Sequence, residues 1–153
     1  MPDATDPPYV ETVDTRFLES LVGYNARRAA LSIIGQFLPR MAVYDLRPLD
    51  FSVLSLIAHN AGITSRQLCT ALSLQSPNVV GIVSALEKRG LIERRTHPHD
   101  RRAVGLHLTP DGTALVQEAE KTAATLEMDA TARLTAAERK TLIRLLQKIY
   151  SRG

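Results

Sequence analysis

Apolar residues recur at helical spacing through most of the chain, and a short alternating stretch near residue 100 interrupts them. Over residues 13–38, Phe17, Leu21, Tyr24, Leu31 and Leu38 share one face, predicting a long first helix that Pro39 kinks or ends. A second helix is predicted to begin near Asp50, whose carboxylate can cap free amides, with Leu49 and Leu54 as a hydrophobic staple across the cap. Its inward residues are Leu54, Ile57 and Ala58, and Gly62 marks its end. Thr64, followed by Ser65 and Arg66, opens a third helix that runs to Leu72. Ser76 with Pro77 starts a fourth, because proline is tolerated in a first helical turn, and Gly90 supplies the left-handed residue that closes it after Arg89. Residues 91–95 and 103–108 read as strands, Val104, Leu106 and Leu108 alternating with Ala103, Gly105 and His107. Thr109-Pro110 begins a fifth helix striped by Leu115, Val116, Ala119, Ala123 and Leu126. Thr135 with Glu138 is a capping box for a sixth, carrying Leu142, Leu145, Leu146 and Ile149.

The two short helices, the tight turn and the two-stranded ribbon between Ile63 and Thr109 carry the chemistry. With Val79, Ile82, Val83 and Leu86 turned inward, the fourth helix leaves Ser76, Asn78, Gly81, Ser84, Ala85 and Lys88 outside. A merely solvated helix carries more charge than this. A small, polar face, uncharged except at its Lys88 end, suits a surface that must approach base edges closely. The ribbon's tip reads His97-Pro-His-Asp-Arg-Arg102, a cationic finger beside that helix. Together they predict a mainly α fold with a small β-wing, a winged helix-turn-helix of six helices, whose partner is double-stranded DNA.

Charge sharpens this picture. The net charge is only +3, yet residues 88–102 hold Lys88, Arg89, Arg94, Arg95, Arg101 and Arg102 against Glu93 and Asp100. Local basic density governs attraction to a polyanion, because counterion release scales with phosphates contacted. The first twenty residues hold Asp3, Asp6, Glu11, Asp14 and Glu19 against Arg16. At 153 residues, with 44% hydrophobic and 23% charged residues, the chain reads as globular. One cysteine excludes an internal disulfide. The acidic, proline-rich start lacks the blocks of a secretory signal, and no apolar run approaches the roughly 18 residues of a membrane span. A cytoplasmic, nucleoid-associated protein is expected. Organisation is read as a flexible arm at 1–12, an N-terminal dimerisation helix and connection at 13–48, a DNA-binding lobe at 49–108 and C-terminal dimerisation helices at 109–153. The outer helices cannot bury their apolar sides on the central lobe alone, and a two-fold homodimer is the simplest way to cover them.

Leu86-Glu-Lys-Arg-Gly-Leu-Ile92, then Asp100-Arg-Arg102, then Leu108-Thr-Pro-Asp-Gly112 resemble, at matching spacing, the MarR family of bacterial winged helix-turn-helix regulators. The resemblance runs from about Phe17 to Ile149. It implies that 75–84 is the recognition helix, with Gln75, Ser76, Pro77, Asn78, Val80, Gly81 and Ser84 toward the groove and Lys88 near phosphate. The wing would span 94–102 with Arg94, Arg95, His97, His99 and Arg101. Asp100 resembles the family's wing carboxylate, which orients an arginine by a salt bridge, and Arg102 would enter the minor groove. Two departures stand out. Ser73 occupies the place where the family often has a turn glycine, so a strained or shifted turn is expected. Val80-Gly81 replaces bulkier polar residues, leaving Ser76, Asn78, Ser84 and a Val80 contact to a thymine methyl for direct readout, with DNA shape sensed by the wing.

Cys69 falls on the third helix in a small inward site, which points to packing; the resemblance places sensing cysteines in the first helix instead. His97 and His99 lie on a loop tip without further clustered ligands and fall short of a metal site. Lys88 and Arg89 are helix C-terminal charges favoured by the macrodipole. Arg28 lies in the otherwise apolar line through 17, 21, 24, 31 and 35, so it needs a partner or an anionic ligand. An intersubunit salt bridge or a snorkelling side chain would serve. So would an effector pocket of Tyr24, Arg27, Arg28 and His59, which the resemblance extends to aromatic acids or their coenzyme A thioesters. No nucleophile-base pair or phosphate-binding glycine loop is present, so the chain reads as no enzyme, with no cofactor or metal. The expected function is a homodimeric regulator, a repressor, that binds a pseudo-palindromic operator and is released by a small anionic or aromatic effector. A metal- or redox-sensing regulator of the same fold, and a winged-helix protein-interaction module that binds no DNA, stand as alternatives.

Overall fold

The computed structural model describes residues 9–96, 98–100 and 102–152. In chain order they form α1 (Arg16–Glu19), α2 (Val22–Met41), a one-turn 3-10 helix (Ala42–Tyr44), α3 (Pro48–His59), α4 (Ser65–Leu72), α5 (Ser76–Lys88), β1 (Ile92–Thr96), β2 (Val104–Leu108), α6 (Pro110–Ala130) and α7 (Ala136–Tyr150). The class is mainly helical with a small two-stranded wing, as the sequence predicts. Residues 1–8 of the expected arm lie outside the described residues.

The predicted long first helix is broken into α1 and α2. Leu21 is extended at φ −97°, ψ 130° and separates them. Side chains satisfy the exposed backbone at the break: Ser20 Oγ donates to the Phe17 carbonyl at 2.6 Å, and the Asn25 amide to those of Glu19 and Leu21 at 2.7 and 2.8 Å. Such local bonds compete with the helix, and apolar periodicity does not register them. Pro39 sits inside the last turn of α2, which continues to Met41. Buried Phe37 and Met41 anchor that turn against the hydrogen bond that proline cannot make.

α3 also starts earlier than predicted. Arg47 is its N-cap and Asp50 its third residue, where Oδ2 accepts the Arg47 backbone N–H at 3.0 Å. The staple positions move with the cap to Leu46, which is buried, and Phe51; Leu49 is left exposed. Ala58 is exposed as well, and Val53 joins Leu54 and Ile57 on the buried face.

Thr64 caps α4 reciprocally: its Oγ1 accepts the Gln67 N–H at 3.2 Å and Gln67 Oε1 accepts the Thr64 N–H at 3.0 Å. Ser73 ends α4 in the left-handed region at φ 52°, ψ 45°, the strained turn its place in the sequence implies. The chain turns through 117° from α4 into α5. Val79, Val83 and Leu86 of α5 then meet Leu54 and Ile57 of α3, Leu68 of α4, Ile92 and Leu106 of the ribbon, and Val116 and Ala119 of α6 in one core. The strands are antiparallel, with Ile92 opposite Leu108, Arg94 opposite Leu106 and Thr96 opposite Val104.

The start of α6 is tied to the base of the ribbon. Thr109 Oγ1 accepts the Gly112 N–H at 3.0 Å and donates to the Gly90 carbonyl at 2.6 Å. Backbone approaches backbone so closely here that a Cβ on Gly112 would lie 1.9 Å from the Leu91 carbonyl oxygen. Further along, Asp129 of α6 pairs with Arg40 of α2 at 2.6 Å. Thr135 and Glu138 form the capping box of α7, and the Thr135 backbone N–H, helped by its hydroxyl, holds the Glu138 carboxyl below the usual carboxylate range. α7 contributes no buried residue: Leu142, Leu145, Leu146 and Ile149 are all exposed, as are Phe17 and Leu31 on α1 and α2. No single helix among the described residues is long and apolar enough to cross a membrane.

Candidate nucleic-acid interface

α5 is held by its inner face and presents the other. Gln75, Ser76, Pro77, Asn78, Val80, Gly81 and Lys88 are exposed, and Ser84 is half-buried. Val80 stands 48% exposed between polar neighbours, an apolar contact held ready in water. Nothing lies within 4 Å of where a Cβ on Gly81 would sit, so packing does not require glycine there. At the start of α4, Thr64 and Ser65 are half-buried and Arg66 is exposed. In the first turn of α4 the Ser65 and Arg66 N–H groups are left over beside the capped Gln67. In α5, where Pro77 has no N–H and Asn78 donates to the Gln75 carbonyl, only that of Ser76 is; such groups favour anions such as phosphate.

In the wing, the arginines divide. Arg94 Nε donates to Glu87 Oε2 at 2.9 Å, tying β1 to the last turn of α5, and Arg95 Nε donates to Glu93 Oε1 at 2.9 Å. Asp100 Oδ1 accepts the backbone N–H of Arg102 at 3.0 Å, so this carboxylate shapes the loop through the main chain. Among the described residues, Lys88 and Arg102 are exposed cations without a carboxylate partner. His99 is exposed, and His97 and Arg101 lie outside the described residues.

Arg89 does more than complement a helix terminus. Its guanidinium donates to the carbonyls of Asp45 and Tyr44, at 2.7 and 2.8 Å, across more than forty residues of chain. The Tyr44 hydroxyl in turn shares a hydrogen bond of 2.9 Å with Thr122 Oγ1 on α6. Neither this link nor the Glu87–Arg94 pair leaves a trace in the spacing of a single sequence.

The residues considered for an effector divide into two places. Arg28 Nη1 donates to the Tyr24 hydroxyl at 3.1 Å with its guanidinium 5.9 Å from the ring centroid, and Arg27 and Arg28 are both exposed. In the single chain Arg28 is therefore solvated, because the apolar line around it is uncovered. His59 lies elsewhere: its Nε2 is 2.8 Å from Glu120 Oε1, which also accepts from Ser55 Oγ at 2.8 Å. It lines a cavity of about 360 Å³ walled by α3, the ribbon and α6, with Arg95, His107 and Gln117 among its polar groups. No residue of α2 lines that cavity. Cys69 is half-buried against the core.

Over 130 residues the chain is 35% identical to a protein of Thauera aromatica named for a regulatory role at the hcr operon, covering 84% of this chain and 78% of that one. A MarR family sequence profile matches residues 44–103, the span from Tyr44 through the wing. The chain belongs to the MarR family. Solved MarR-type structures agree with its fold. The transcriptional repressor CouR bound to a 23-mer DNA duplex superposes with a TM-score of 0.86 at 36% identity, covering 92% of this chain and 100% of that one. CouR bound to p-coumaroyl-CoA superposes with a TM-score of 0.82 at 34% identity, covering 93% and 100%. As a MarR-family chain this protein is a transcriptional regulator, and the relatives it matches are regulators rather than enzymes.

Proposed function

We propose that this MarR-family chain is a homodimeric repressor that binds a pseudo-palindromic duplex and releases it on meeting a small anionic or aromatic effector. The carrying observation is the pairing of α5's exposed face, uncharged except at Lys88, with an adjacent wing in which the Arg102 side chain forms no ion pair among the described residues. Ser76, Asn78, Val80 and Ser84 read base edges, Gly81 lets the backbone come close, and Lys88, Arg66 and the α4 and α5 amino ends meet phosphate. Arg102 reaches the minor groove. Exposed apolar residues on α1, α2 and α7 support a second copy as their cover, which would set two reading heads about one turn of duplex apart.

For the effector, the likeness to CouR bound to p-coumaroyl-CoA supports an aromatic acid or its coenzyme A thioester. Arg27 and Arg28, with Tyr24 stacked on Arg28, would meet a carboxylate or phosphate. An effector acts only through differential affinity, by preferring a spacing of the lobes that mismatches successive major grooves.

Titrating a duplex selected from a random pool at several salt concentrations tests the first half. Binding should weaken with salt, and Arg102→Ala should make the slope shallower by about one. A wild-type slope of zero, or an unchanged slope in the variant, rejects the wing assignment. For the second half, p-coumaroyl-CoA should release the duplex from wild-type protein and not from Arg28→Ala, whose duplex affinity is otherwise intact. Equal release from both removes Arg28 from the effector site.

A further inference from the structure

We propose that Arg89 and Tyr44 are positioning residues for the recognition helix, forming with Thr122 a polar strut that fixes α5 relative to α6. This inference rests on the DNA-binding reading above. Two reading heads match successive grooves only if each α5 keeps a set angle to the helices that join the copies. α5 and α6 have little direct packing. The core between them is apolar, and apolar contact is non-directional, so it resists separation better than it resists sliding. The strut supplies direction.

Its first joint is the Arg89 guanidinium on the Tyr44 and Asp45 carbonyls. Both are carbonyls left over at the end of the one-turn 3-10 helix, and neither accepts a backbone N–H among the described residues. The left-handed Asp45, at φ 51°, turns the chain just where the two carbonyls meet one planar fork. A guanidinium can hold two such acceptors at fixed angles, whereas an ammonium offers charge without that geometry. The second joint is the Tyr44 hydroxyl on Thr122 Oγ1. One residue, Tyr44, therefore takes part at both ends: its carbonyl holds α5 and its side chain holds α6.

The test uses full-length protein and a labelled duplex of about 30 base pairs, roughly three turns, selected from a random pool with the wild type. Arg89→Lys and Tyr44→Phe should each weaken binding to the selected duplex by roughly three- to tenfold, the scale of one lost hydrogen bond. Affinity for a mixed-sequence duplex, which depends on charge, should not change. Arg89→Gln should show the same loss with an unchanged salt slope. If Arg89→Lys and Tyr44→Phe both bind the selected duplex as the wild type does, the strut is refuted. A slope shallower by about one in Arg89→Gln would make Arg89 a phosphate contact, which also refutes it. Should selection enrich no duplex, the DNA-binding reading fails first; normal wild-type binding beside unaffected variants fails the strut alone.

Discussion

Arg94 and Arg95 each hold a carboxylate, so the wing offers DNA less free positive charge than its residues carry. Both pairs are half-exposed, and such pairs contribute only about 0.2–1 kcal/mol to stability. Their larger effect is on the charge available to phosphate. Glu87→Gln should leave unfolding free energy within about 1 kcal/mol of the wild type. It should also release Arg94, tightening duplex binding at low salt and steepening the salt dependence by about one. A parallel loss of affinity in a salt titration would show that Glu87 instead holds the wing in its binding posture. The basic stretch from Lys88 to Arg102 is legible in the sequence; which of its charges are already paired is not, because Gly90 folds Arg94 back onto Glu87. The left-handed turn at Ser73 was legible, since the residue stands where a glycine is expected.

Among elements, the junction of β1 and α6 leaves the least room for change. Gly112→Ala places a methyl against the Leu91 carbonyl oxygen and should destabilise the lobe by roughly 1–3 kcal/mol, the usual cost of overpacking. Urea denaturation followed by circular dichroism measures this, and a midpoint equal to the wild type would mean the helix start yields freely. Helix ends written in local chemistry were readable: Thr64 before α4, Thr135 with Glu138, and Gly90 after α5 all close or open helices where the sequence puts them. The break at Leu21 was not readable, because it depends on Asn25 reaching back to two carbonyls while the apolar spacing runs on unbroken. The start of α3 differs from the expected one for a related reason: Asp50 accepts the cap residue's N–H from the third helical position and so resembles the cap itself.

At the scale of the molecule, one chain leaves a broad apolar surface in water. Phe17 is 76% and Ile149 68% exposed, at opposite ends of the sequence. If a second copy covers them, the thermal midpoint should climb with protein concentration, as mass action requires for coupled folding and association. Leu146→Glu should abolish that dependence and give a single chain by sedimentation; a concentration-independent midpoint in the wild type would rule out the pairing. The separation of tasks along the chain carries a consequence for its evolution. Because α7 puts nothing into the lobe's interior, selection for a folded reading head places no demand on Leu142, Leu145, Leu146 or Ile149. If a second copy packs on α7, drift at these positions is judged only by whether two gene products still recognise each other. Duplicated copies could thus diverge into separate, non-mixing regulators by changing their last helix, with the DNA-facing surface untouched.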